Sequence, residues 1–259
     1  MATAKTLCGF CQRAGKITKE HVFAKWLGPI ISAGQPVKAI RHDIALDGKP
    51  KAQWESTSLD TQVRMACGPC NSGWMNALET KMQAIIPPMI LGRRQSLDIE
   101  SQAAIATWAI KTAMVIEFLR PRDPSYFTPA ERHALMDEVV PAGGLGAHVW
   151  LGCYSGTNDG LRSSATRLMR TPGVAEGYEL MFALRAFTLQ VFVERRSAGR
   201  GTYIRAGQWA QSLVEIWPTG GPVDWPPPVS IDEDSAAALF DRFLAPGIES
   251  LAKGFRRSS

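Results

Sequence analysis

The stretch CGPCNSGW at residues 67–74 places two cysteines three positions apart, and CGFC at residues 8–11 repeats that spacing. A C-x-x-C loop turns back on itself so that both sulfurs face one point, and two such loops can surround one Zn²⁺ tetrahedrally. Two matched pairs favour a structural zinc site over a redox motif or four ordinary buried cysteines. Bound metal would then supply folding energy to a small module. The expected zinc ligands are Cys8, Cys11, Cys67 and Cys70.

An acid followed by a histidine, Glu20-His21, lies between the two cysteine pairs. A neutral imidazole can accept a proton from water near pH 7, and a glutamate can bind a hard divalent cation through oxygen. The alternative is a helix N-terminus, where Glu20 would interact favourably with the helix dipole. Asn71 begins a predicted helix directly after the second pair, so its amide oxygen can face Glu20 and His21. A simple N-cap is the alternative for Asn71.

Together these residues resemble the HNH endonucleases of the four-cysteine type, which have a ββα-metal fold. The segments KEHVFAKWL at 19–27 and CNSGWMNALE at 70–79 are similar to a bacterial and phage subgroup of that family. The resemblance covers the first third of the chain. It implies a nuclease in which His21 is the general base, while Glu20 and Asn71 hold a catalytic Mg²⁺ or Mn²⁺ against the scissile phosphate of double-stranded DNA. The zinc would remain structural.

The sequence departs from the family pattern at two positions. Glu20 stands where the family commonly has aspartate, and its longer side chain changes the reach to a metal. The middle asparagine of the family, which orients the histidine, has no clear match, so Asp60 or a backbone carbonyl would have to serve. A second hypothesis is therefore a zinc-stabilised nucleic-acid-binding or assembly protein without catalysis, and a third gives the functional role to the C-terminal part.

Hydrophobic periodicity predicts an α+β fold with two domains. Residues 1–86 form the zinc-stabilised, HNH-like module, and residues 97–259 form an α+β domain that binds substrate, a protein partner or another copy of the chain. The proline pair at 87–88 marks the boundary. Thr128 begins a capping box with Glu131. Helices are predicted at residues 71–82, 98–119, from 128 and at 232–244, and strands at 147–154, 178–185, 187–195 and 213–217.

Composition adds weaker expectations. The net charge of +5 and the isoelectric point near 9.0 favour a polyanionic partner. No segment has the pattern of a signal peptide, so we expect a cytoplasmic protein with reduced thiols. The longest apolar run, residues 103–119, contains Lys111 and Glu117 and predicts a core helix rather than a membrane span. Phosphate loops, nucleophile elbows and dinucleotide fingerprints are absent from the sequence.

Overall fold

The computed structural model describes residues 6–32, 39–44, 50–56, 59–119, 125–138, 145–156, 161–171, 174–194 and 211–241. These residues form a mixed structure of helices and mainly antiparallel sheets, which confirms the α+β prediction. The strands are β1 Ile17–His21, β2 Ala39–Ile44, β3 Pro50–Ser56, β4 Gln62–Cys67, β5 Gln95–Leu97, β6 Ala147–Cys153, β7 Leu161–Thr171, β8 Val174–Leu184, β9 Phe187–Glu194, β10 Leu213–Trp217 and β11 Val223–Trp225.

Six α-helices are present in the described part of the chain. They are α1 Leu27–Ser32, α2 Gly68–Cys70, α3 Asn76–Ile90, α4 Ile99–Ile116, α5 Pro129–Glu138 and α6 Glu233–Asp241. A π-helical segment, Asn71–Met75, joins α2 to α3, and a 3₁₀ turn, Glu117–Leu119, follows α4. The capping box is confirmed, because Thr128 and Glu131 exchange backbone-to-side-chain hydrogen bonds.

Three sheets organise the part of the chain that the structure describes. β1 and β4 form an antiparallel pair, and the helical run from Gly68 to Ile90 follows β4 directly, giving a ββα arrangement. A seven-stranded sheet has the order β10-β6-β9-β8-β7-β2-β3, in which only β2 and β7 are parallel. β5 pairs with β11. Strand β7 had no counterpart in the sequence prediction.

The predicted boundary at Pro87-Pro88 lies inside a helix, because both prolines occupy the last turn of α3. One continuous hydrophobic core runs from Cys8 to residues of the seven-stranded sheet such as Val191. Strands β2 and β3, from within residues 1–86, also extend that sheet. The two predicted segments therefore share a core, and their division into separate domains stays a prediction.

Helix α4 passes through the centre of this core. Asp98 caps its N-terminus by accepting a hydrogen bond of 2.7 Å from the Ser101 N–H. Trp108 of α4 and Phe23, which follows β1, both pack edge-on against Phe182 of β8. Within the described residues, the segment 99–119 is long and apolar enough to cross a membrane, but 78% of it is buried inside the protein, as in a core helix.

Candidate metal centre and histidine site

The four paired cysteines converge on one point. Their sulfur atoms all lie within 4.8 Å of one another, and the Sγ atoms of Cys11 and Cys67 are 3.7 Å apart. Four Zn–S bonds of about 2.3 Å in a tetrahedron would separate the sulfurs by roughly 3.8 Å. The cluster could therefore hold a metal ion such as zinc, with ligands from both ends of the module.

The protein environment prepares these thiols unequally. Burial tends to raise the pKa of the Cys8 thiol, but backbone N–H groups, first that of Cys67 at 3.3 Å, lower it to about 7. Burial raises the pKa of the Cys70 thiol, and also that of Cys67. Because metals bind thiolates, loading the cluster must release protons from the more basic thiols.

The first C-x-x-C loop, residues 8–11, is held in place by Gln12 and by α5. Gln12 adopts a positive φ of 56°, and its side-chain amide donates hydrogen bonds of 3.0 Å to the carbonyls of Cys8 and Gly9. A Cβ atom on Gly9 would lie 2.7 Å from the Phe118 ring, so this position requires glycine. Arg132 of α5 donates to the Gly9 carbonyl at 3.0 Å. The first C-x-x-C loop is therefore fixed against the remainder of the fold.

The antiparallel pair of β1 and β4 sends Glu20 and His21 to opposite faces. Glu20 lies opposite Val63, and both are buried, whereas His21 lies opposite Gln62 and is only partly covered. Successive side chains of a strand alternate between faces. The inner face of this strand pair therefore presents Glu20 to the core, and the outer face presents His21 to solvent.

His21 forms a close group with Asp60 and Gln62. Its Nε2 atom lies 2.8 Å from Asp60 Oδ1 and 2.9 Å from Gln62 Nε2. Hydrogen bonds, first from Gln62 and then from His21, lower the pKa of the Asp60 carboxyl. An ionised carboxylate only accepts and the Gln62 amide nitrogen only donates, so Nε2 bonds either to Asp60 or to Gln62 according to the tautomer, and donation to Asp60 places the proton on Nε2. In that tautomer Nδ1 carries a lone pair that can accept a proton.

Glu20 takes part in a buried ionic group. Its Oε1 accepts a hydrogen bond of 3.4 Å from Lys111 Nζ on α4, and Lys111 is only 1% exposed. Lys111 also donates to Glu79 Oε1 at the shorter distance of 2.7 Å. Burial raises the pKa of the Glu20 carboxyl, although the Lys111 charge opposes that shift. One ammonium group thus faces two carboxylates.

Two indoles complete this group and favour Glu79 over Glu20. Trp26 donates to Glu79 Oε2 and Trp108 to Glu79 Oε1, each at 2.9 Å. Glu79 therefore accepts three hydrogen bonds and neutralises most of the Lys111 charge. Within the described residues, the carboxylate of Glu20 accepts only the bond from Lys111. One oxygen of the Glu20 carboxyl group therefore has no described hydrogen bond.

Asn71 anchors the start of the helical run to β1. Its Nδ2 atom donates hydrogen bonds of 3.0 Å to Thr18 Oγ1 and to the Lys19 carbonyl. The side chain therefore contacts the strand that carries Glu20 and His21, although no direct bond joins it to either residue among the described contacts. Its amide oxygen, like the carboxylate of Glu20, is the kind of ligand that Mg²⁺ or Mn²⁺ prefers. These donor types fit a hard divalent ion.

Sequence reasoning named Asp60 as one possible partner of the histidine but missed Gln62, Glu79 and Lys111. Lys111 left a signal, because a lysine inside an apolar helical run must find a charged partner when it is buried. Its partners come from β1 and α3, which lie 91 and 32 positions away in the chain. Neither spacing belongs to a local pattern.

Comparison with known proteins gives no further guidance. No protein-family model, no curated protein and no solved structure matches this chain significantly.

Proposed function

We propose that this protein is a metal-dependent, HNH-type endonuclease that hydrolyses phosphodiester bonds in DNA. The observation that carries the proposal is the His21–Asp60 pair on the outer face of the β1–β4 strand pair, where β4 runs into the helical segment at the four-cysteine cluster. A histidine oriented through one ring nitrogen has the other available for proton transfer.

In this mechanism Asp60 fixes the His21 ring and stabilises the positive charge that develops on it. His21 Nδ1 takes a proton from a water molecule, and the water oxygen attacks phosphorus. The new P–O bond forms as the bond to the 3′ oxygen breaks, and that oxygen then receives a proton. Gln62 donates to Asp60 and keeps its carboxylate in place.

The divalent ion would be held by Glu20 and Asn71. Because Glu20 lies on the inner face of the strand pair, its carboxylate would have to turn towards the His21 side to bring the ion to the phosphate. When bound, it supplies a positive charge that stabilises the phosphate oxygens and the leaving oxygen. Lys111 contacts Glu20 from the core side and is itself bonded to Glu79. Asn71 holds the first turns of the helical run against β1 through its amide nitrogen.

The test compares two histidine variants in a plasmid-nicking assay with Mg²⁺ or Mn²⁺. His21→Ala should lower the rate about 10²- to 10⁴-fold, the range of a lost general base. His133→Ala is the matched control, because His133 also pairs with an aspartate, Asp137 at 2.9 Å, but on the exposed face of α5. Equal cleavage by the two variants would remove His21 from the chemistry.

One observation favours the second candidate, a zinc-stabilised nucleic-acid-binding protein without catalysis. The Lys111 ammonium lies 3.4 Å from Glu20 and could serve as the only cation there. The two candidates differ in Mn²⁺ binding to zinc-loaded protein. The nuclease binds Mn²⁺ and loses that affinity on Glu20→Gln, whereas the binding protein shows the same weak affinity with either residue and nicks no plasmid.

A further inference from the structure

The outer face of the β1–β4 strand pair carries two cations directly opposite each other. Lys19 pairs in register with Arg64, two positions from the His21 and Gln62 pair. Lys19 and Arg64 are both exposed. Residues two apart on a strand share a face and lie roughly 6.6 Å from each other. The two cations therefore stand on the same surface as the histidine.

A β-bulge produces this register. The pairing shifts between Thr18 and Lys19, so that Met65 is left without a strand partner and turns into the core. Without the bulge, Lys19 would face Met65 rather than Arg64. Bulges commonly re-aim side chains beside functional sites. Here the bulge brings two positive charges together.

Two like charges directly opposite each other destabilise a strand pair. Among the described residues, neither Lys19 nor Arg64 forms an ion pair with a carboxylate. A third cation, Lys25, is exposed and near enough to Asp60 to contribute to the lowering of its pKa. Lys19 and Arg64 thus add positive charge beside His21 that no described carboxylate pairs with, whereas Lys25 lies near the Asp60 carboxylate.

We propose that Lys19 and Arg64 bind the phosphodiester backbone of duplex DNA and hold it beside His21. This inference rests on the proposed function and names the residues that position its substrate. Lysine serves as a point charge for one phosphate, and the planar guanidinium of arginine can bind two phosphate oxygens at once. Such contacts fix a duplex on the surface without selecting its sequence.

The experiment measures binding of a DNA duplex of roughly 30 base pairs at several salt concentrations. Every protein carries His21→Ala, so that binding is separated from cleavage. The test variant is Lys19→Gln/Arg64→Gln. The matched control is Arg93→Gln/Arg94→Gln, which removes the same charge from an exposed pair beyond the far end of α3.

The test variant should lose about tenfold affinity or more near 0.1 M salt. Its slope of log affinity against log salt should fall by roughly 0.9 for each lost phosphate contact, and the control should change far less. Equal losses in the two variants would show a general effect of net charge and overturn the proposal, as would an affinity of the His21→Ala parent indistinguishable from that of the test variant.

The fate of the proposed function is visible separately. Wild-type protein that nicks plasmid while Lys19→Gln/Arg64→Gln nicks it equally well at low DNA concentration would keep the nuclease and remove this surface. Selective loss of duplex binding without nicking by any form would keep the surface and remove the nuclease. Thermal unfolding and bound zinc, measured for each variant, verify that these exposed substitutions leave the fold intact.

Discussion

The inner and outer faces of the β1–β4 strand pair have contrasting environments. On the inner face, Glu20 meets Lys111, and a second carboxylate and two indoles enclose the charge. On the outer face, His21 meets Asp60, whose side chain is 59% exposed. Adjacent residues of the chain thus belong to one group that is buried and one that is accessible to solvent.

The difference shows how two adjacent residues can enter environments suited to different roles, one to structural stability and one to proton exchange with solvent. A buried ionic group is rigid, because breaking any of its bonds leaves a charge without a partner in a low-dielectric interior. An exposed histidine can exchange protons with water and admit a substrate. Strand alternation places Glu20 in the buried ionic group and His21 on the side that reaches solvent.

Both faces depend on the cysteine cluster, and its removal should have the largest effect. Cys67→Ser, or prolonged treatment with a strong chelator, should release zinc and unfold the module, because structural zinc contributes on the order of 10 kcal/mol to folding. Zinc content and thermal unfolding measure the outcome. Cys153→Ser is the control, since Cys153 is half-buried at the end of β6, outside the cluster. Zinc absent from protein purified without chelator would contradict the metal site.

The sequence allowed the outer face to be predicted better than the inner one. The cysteine spacing and the Glu20-His21 dipeptide are local patterns, and each leaves a mark within a few residues. Asp60 could be proposed because it precedes the second cysteine pair in the same segment. Its actual contact with His21 depends on the register of β1 and β4, which a sequence pattern does not fix.

The inner face could not be predicted, since its members come from distant segments. Lys111 reaches Glu20 only because α4 crosses the core beside the β1–β4 strand pair, and Glu79 joins them from α3. Pro87-Pro88 indicated a domain boundary, and that division stays a prediction. The prolines lie in the last turn of α3, and the core continues past them.

The second prediction breaks the inner face alone. Lys111→Met removes a buried cation and leaves two carboxylates facing each other, so the free energy of unfolding should fall by about 3–5 kcal/mol. Denaturant unfolding of the zinc-loaded protein measures the loss. The matched control is Lys81→Met, because Lys81 pairs with Glu100 at 3.2 Å in a solvent-exposed position. An exposed pair contributes at most about 1 kcal/mol. Similar losses in both variants would show that the inner group does not stabilise the fold.

The third prediction concerns the outer face alone and has the smallest expected effect. Asp60→Asn preserves the size of the side chain but removes the charge that orients His21 and stabilises its protonated form. The cleavage rate should fall roughly 10- to 100-fold, the range for a group that acts through a catalytic residue. KM for the DNA substrate should not rise, because the change removes a negative charge from a surface that binds phosphates.

Asp137→Asn provides the comparison, since Asp137 also pairs with a histidine, at 2.9 Å on α5. Asp60 and Asp137 are similarly exposed, at 59% and 57%, so neither variant should alter the free energy of unfolding appreciably. A rate loss confined to Asp60→Asn, with stability intact, would therefore separate the two faces by experiment. The inner face would govern whether the module folds, and the outer face would govern whether it reacts. If Asp60→Asn cleaved at the wild-type rate, His21 would need another group to orient it, and the backbone carbonyls beside β1 would become the candidates.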